Sequence, residues 1–279
     1  MSLYTVERTP QLDRNRLSVL IALILLVSVL FRFVQLPAAA WRLNVLGSPL
    51  EIRATETWLL VILVASMAAM GTRYVLAGHP DVPQRIPRPL YLSWLLPGLL
   101  AGITVYLVEL APAEWAWAGG LLLAALVIAL AISAEFGALS TDDPGYARSR
   151  LALNVLAYLL AFALFYMIYR SRTRSIITAS GITLVAFLVG LDLLSVADVG
   201  VRRLVVYTAT VSLLVGEATW ALNYVRLSNL AGGLFLLVVF YLTTGIAHQH
   251  LLERLSRWIL LEFAIIAAAA LLAILLFAP

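Results

Sequence analysis

The chain has 279 residues, 63% of them hydrophobic and 12% charged, with a formal net charge of +4. Soluble domains average about 45–50% apolar and about 25% charged residues, so this composition excludes an ordinary globular fold and leaves no stretch for a soluble domain. Cysteine and lysine are both absent, which excludes disulfides, thiolate nucleophiles, Schiff-base cofactors and a P-loop lysine.

Apolar runs of roughly 20 residues are needed to cross the hydrocarbon of a bilayer. Nine such segments are expected: Leu17–Leu36, Trp58–Ala77, Leu90–Leu110, Trp117–Phe136, Leu151–Arg170, Ile176–Val196, Leu204–Leu222, Leu230–Ala247 and Trp258–Phe277. The expected fold is therefore all-α, a polytopic transmembrane helix bundle forming one integral membrane domain over residues 1–279. The count falls to eight if the first or sixth segment, which carry Arg32 and Asp192, is not a full crossing.

Arg14 and Arg16, the run Leu17–Leu30 and then Ala38, Ala39 and Ala40 have the order of an export signal. Arg32 and Gln35 interrupt the approach to those alanines, so the first segment reads as an uncleaved helix. The link 37–57 mixes Trp41, Arg42 and Leu43 with Gly47 and Pro49, which suits an amphipathic interfacial segment that turns at Gly47–Pro49. The link 78–89 holds Pro80, Pro83, Pro87 and Pro89 and should be extended and stiff. Asp142, Asp143, Pro144 and Gly145 form a turn with a capping aspartate before the fifth helix.

Arginine sets the orientation. With the N-terminus cytoplasmic, the inner ends carry Arg8, Arg14, Arg16, Arg73, Arg85, Arg88, Arg148, Arg150, Arg202, Arg203, Arg254 and Arg257. The outer ends carry half as many: Arg42, Arg53, Arg170, Arg172, Arg174 and Arg226. This bias favours an N-in protein of the cell inner (plasma) membrane. The cluster Arg170–Arg174 is the exception, and is an arginine-rich cap, a site for something acidic or the mark of a miscounted helix. Arginines at the ends of apolar runs answer to membrane orientation, so no nucleic-acid partner is expected.

Ionisable groups inside hydrocarbon are costly and are the first functional suspects. Glu135, Asp192, Glu217 and Glu262 qualify, though each also suits pairing with an arginine or snorkelling to the headgroups. Asp198 and Arg202, and Glu253 and Arg257, have the i,i+4 spacing of helical ion pairs. The seventh helix is the most informative span. Thr210, Glu217 and Tyr224 are seven residues apart and share a face, with Trp220 close to it and Gly216 leaving room for a neighbour. With Asp192 they form a candidate ligand-binding set. The bland alternative is interhelical glue capped by an aromatic belt.

Glu135, His248, His250 and Glu262 form a second set near the inner rim. A His-x-His pair is too little for a metal centre, no HExxH occurs, and neither metal nor cofactor is expected. Ser180-Gly181 and Gly232-Gly233 read as packing notches. Three readings stay open. The favoured one is a transporter or carrier of a small or lipid-like solute. The others are a non-catalytic scaffold or accessory subunit, and an intramembrane enzyme acting on a lipid headgroup. Membrane lipids, a small lipid-like ligand and a membrane protein partner are the partners these readings imply. The surviving polar residues sit toward the two rims, which favours a rim-proximal site over a central ion relay.

Overall fold

A computed structural model describes residues 12–34, 39–45, 48–78, 92–140, 143–171, 175–197, 199–222, 224–225 and 227–277. Its described elements are nine α-helices and one β-hairpin: α1 (Arg14–Phe31), β1 (Ala39–Val45), β2 (Ser48–Ala54), α2 (Glu56–Leu76), α3 (Leu95–Glu109), α4 (Glu114–Gly137), α5 (Tyr146–Arg170), α6 (Ser175–Leu194), α7 (Val201–Leu222), α8 (Asn229–Leu251) and α9 (Arg257–Phe277). A short 3-10 turn, Ser195–Ala197, follows α6. The helices answer to the nine expected segments, and the chain is a helical membrane protein. Seven of them (α1, α2, α4, α5, α6 with its 3-10 extension, α7 and α8) are long and apolar enough to cross a bilayer by length and composition. Their outward faces carry large apolar side chains, Leu122, Leu126, Leu151 and Leu159 among them. Lipid rather than water suits such a surface.

Three local expectations change. The segment expected as an amphipathic interfacial link is an antiparallel hairpin, with Trp41 paired to Ile52, Arg42 to Glu51 and Leu43 to Leu50. The reason is a period-two alternation of apolar and polar residues that runs along both strands. Pro49 is tolerated because each strand of a two-stranded sheet is an edge. Second, α1 stops at Phe31 and Arg32 is its C-cap, so that charge sits at the helix end and not within the span. Third, α3 has 15 residues, about 22 Å of helix. Pro97 falls in its first turn, where a missing N–H costs nothing. The proline-bearing residues 79–91, and Arg172 and Arg174, lie outside the described residues.

The chain forms two compact units, Met1–Ala152 and Leu153–Pro279. In the first, Leu20, Ile24, Leu60, Val64, Val105 and Ile128 build a core. The helix seam α2–α3 closes on small residues. A side chain at Gly98 would meet Ala69 at 3.2 Å, and one at Gly102 would meet Ala65 at 3.4 Å. Two small residues four apart on each helix let the backbones approach, as in GxxxG pairs. At one end of this unit the charges pair. Arg32 donates to Glu114 at 3.1 Å and lies over the Trp117 ring, and Trp117 donates to Glu109 at 2.9 Å.

In the second unit Phe165 and Phe240 are fully buried and meet edge to face at 5.7 Å. Gly232 and Gly233 of α8 lie against Tyr169 and Tyr166 of α5. Gly216 of α7 lies against Thr183 of α6, and Gly190 of α6 against Thr208 of α7. These two close approaches decide which face of α7 points inward. Leu204, Thr208, Val211, Val215, Thr219 and Leu222 are buried, and their spacing of three and four is one helical face.

Candidate functional site: an amphipathic cleft between α7 and α8

At the N-terminal end of α7 and the C-terminal end of α8 the pair leaves a cleft. Its mouth, about 530 Å³, is lined by Arg203, Tyr207, His250, Leu251, Glu253 and Leu255. A groove of about 320 Å³ continues from it past Val206, Thr210, Val211, Thr243, Ile246 and Ala247. Tyr207, His250 and Leu255 line both parts. Both volumes are in the usual range for small-molecule sites, about 300–1,000 Å³.

The lining follows from helical spacing. On α7 it is Arg203, Val206, Tyr207, Thr210 and Val211, and on α8 it is Thr243, Ile246, Ala247, His250 and Leu251. Both sets have the i, i+3, i+4, i+7, i+8 pattern of one face. Each is charged or aromatic toward the rim and apolar away from it. Arg203 to Thr210 is seven residues, about 10 Å along the helix. The two threonine hydroxyls in the groove are spent locally: Thr210 donates to Val206 O at 2.9 Å and Thr243 to Val239 O at 2.7 Å. Such back-bonding satisfies a hydroxyl in a dry setting, so the groove behaves as apolar. The Tyr207 and His250 rings lie 5.7 Å apart at an interplanar angle of 34°.

Glu253 is placed by the way α8 ends. Its N–H donates to His250 O at 3.1 Å, and the N–H of Arg254 donates to Gln249 O at 3.0 Å. These are the two bonds of a Schellman turn, and the residue at its left-handed position is usually glycine. Here it is glutamate, at φ 56°. A side chain in that region costs about 1 kcal/mol. The expected Glu253–Arg257 ion pair does not form among the described residues. Glu253 precedes α9 and sits in this turn, so i,i+4 helical geometry does not apply to it.

Of the residues singled out from the sequence, the cleft gathers Thr210 and His250. Glu217, Trp220 and Tyr224 are exposed toward and just past the C-terminal end of α7 and do not line it. Asp192 is buried on α6 and Glu135 is buried on α4 in the other unit, and both are engaged where they sit. His248 is half-buried and also engaged, and Glu262 is exposed on α9. Asp143 accepts from Gly145 N at 2.7 Å and shapes the turn before α5, while Asp142 lies outside the described residues.

Tyr207 escaped sequence reasoning, which counts Arg203 among the orienting arginines and Glu253 as an ion-pair partner of Arg257 but does not bring them to one site. The signal that joins these residues was the matching pattern of α7 and α8, charged or aromatic toward one end of each stripe and apolar toward the other. A second groove, about 370 Å³, runs beside the α2–α3 seam past Met70, Trp94 and Leu99, with Arg73 as its charged residue. It lacks the opposite charges and the ring pair of the α7–α8 mouth.

The model of a family described as "Protein of unknown function (DUF5656)" matches residues 36–277, so the chain belongs to that family. No curated protein and no solved structure matches the chain.

Proposed function

We propose that this member of the family binds and carries a lipid-like amphiphile, and that the α7–α8 cleft is where it does so. One observation supports the reading above all. A charged, ring-lined mouth and an apolar groove form a continuous surface through Tyr207, His250 and Leu255. A headgroup with a hydrocarbon tail has the same polarity along its length. An ion or a sugar would have no use for the groove, and a pure hydrocarbon none for Arg203 and Glu253. The excess of arginine at one set of helix ends favours a cytoplasmic N-terminus and a cytoplasmic mouth in the inner (plasma) membrane.

A photoactivatable phospholipid with its reactive group on the acyl chain tests the site. Reconstituted full-length protein should take label on the α7 and α8 peptides around Val206–Val211 and Thr243–Ala247, and Thr243→Trp should suppress it by filling the groove. Label spread evenly over outward faces such as those of α4 and α5 would overturn the reading. Carrying is then read from leaflet exchange of an acyl-labelled phospholipid in the same vesicles. Binding without faster exchange would favour a non-catalytic lipid-binding subunit.

One observation favours a second reading, an enzyme acting on the headgroup. An imidazole, a phenol and a carboxylate, the side chains of general acid–base chemistry, line one mouth. Mass spectrometry of the vesicle lipids after incubation would show a changed headgroup if it holds.

A further inference from the structure

We propose that the α7–α8 mouth selects a zwitterionic phospholipid headgroup, with phosphate at Arg203 and an ammonium group at Glu253. This rests on the reading of the cleft as an amphiphile site and adds the class of amphiphile.

The argument is one of charge. Arg203 and Glu253 line the same mouth, both are exposed, and neither is ion-paired among the described residues. A guanidinium fork suits phosphate oxygens, and a carboxylate accepts from an ammonium group. A purely anionic headgroup would leave Glu253 facing like charge, and a purely cationic one would do the same to Arg203. A zwitterion satisfies both. Arg202 and Arg254 are adjacent in sequence but do not line the mouth, so its own charges balance. The Tyr207 and His250 rings offer π faces beside an ammonium group. The backbone is consistent with this assignment. Glycine would end α8 without strain, yet a glutamate stands at φ 56° and lines the mouth.

The groove commits the occupant to a lipid rather than a free headgroup. It extends about 10 Å inward from Arg203 along α7, past Val206, Val211 and Ile246, and a soluble phosphoamine would leave it empty.

The test compares acyl-labelled phosphatidylethanolamine with acyl-labelled phosphatidylglycerol for saturable binding to the purified full-length protein. The wild type should bind the first about tenfold tighter, the equivalent of one charge-assisted hydrogen bond. Glu253→Gln should remove that preference by weakening phosphatidylethanolamine alone, and Arg203→Gln should weaken both lipids. Glu253→Gly relieves the backbone and also lacks the carboxylate, so it must match Glu253→Gln if the carboxylate and not the turn is responsible. Free phosphoethanolamine should not compete at concentrations where the lipid saturates. Equal binding of the two lipids to the wild type, or a preference that survives both Glu253 substitutions, would overturn the headgroup assignment while leaving the cleft an amphiphile site. Unchanged affinity in Arg203→Gln would overturn the phosphate half. Competition by free phosphoethanolamine would overturn the choice of a lipid. Absence of saturable binding by either lipid would overturn the amphiphile reading itself.

Discussion

Each unit has a helix end rich in charge, and the two treat it differently. In the first, Arg32 is held by Glu114 and the Trp117 ring, and Trp117 by Glu109. In the second, Arg203 and Glu253 line an open mouth and are not ion-paired among the described residues. The helix pairs differ in the same sense. Small residues draw α2 and α3 together, whereas Tyr207, Thr210, Thr243 and His250 hold a cleft open between α7 and α8. Charge and space consumed by packing mark structure. Charge and space left over mark a place for something else.

The largest effect should come from breaking the seam. Gly102→Leu drives a branched side chain into Ala65 and Val61, and should cost about 3 kcal/mol, read as a lowered thermal midpoint in detergent. Thr243→Leu, in the open cleft, should stay within about 0.5 kcal/mol of wild type. Equal losses would erase the distinction between the two pairs.

Next come two gains in the second unit. Glu253→Gly should stabilise by about 1 kcal/mol by removing the left-handed strain, with the same melt as readout. Thr244 is buried and its hydroxyl has no hydrogen-bond partner among the described residues. Thr244→Val should therefore raise stability by about 1 kcal/mol, since an unsatisfied polar group is replaced by an apolar one of the same shape.

The smallest effect separates the two kinds of charge. Arg32→Ala should cost about 0.5 kcal/mol, because its ion pair is largely solvent-exposed. Arg203→Ala should cost no measurable stability and should weaken lipid binding. A melt in which Arg203→Ala is the more damaging of the two would mean that Arg203 is structural.

How far the sequence could be read depended on what kind of signal each feature leaves. The α4 and α8 segments were legible because a run of apolar residues long enough to cross a bilayer has few other stable forms than a helix. The hairpin was missed because its alternation is short and was read through Gly47 and Pro49 as a turn. Helix α7 was located correctly, and Arg203 and Thr210 of the cleft stand on the heptad face of Thr210, Glu217 and Tyr224, but which end of that face meets α8 was not legible. In water, polarity tells the outside of a helix from the inside. In a bilayer, lipid tails are as apolar as a protein core, so Leu213 on the outside and Val215 on the inside look alike.

The sequence by itself therefore determined that the chain is a helical membrane protein and where its helices run. Composition and length decide these, because the bilayer imposes both. Only the tertiary structure decided which rim residues meet. The fits of Gly216 against Thr183 and Gly190 against Thr208 turn α7 so that Arg203 and Tyr207 face His250 across a cleft. The left-handed end of α8 then brings in Glu253. Neighbours some thirty to fifty positions apart leave no periodic trace in the chain, and the candidate site is made of such neighbours.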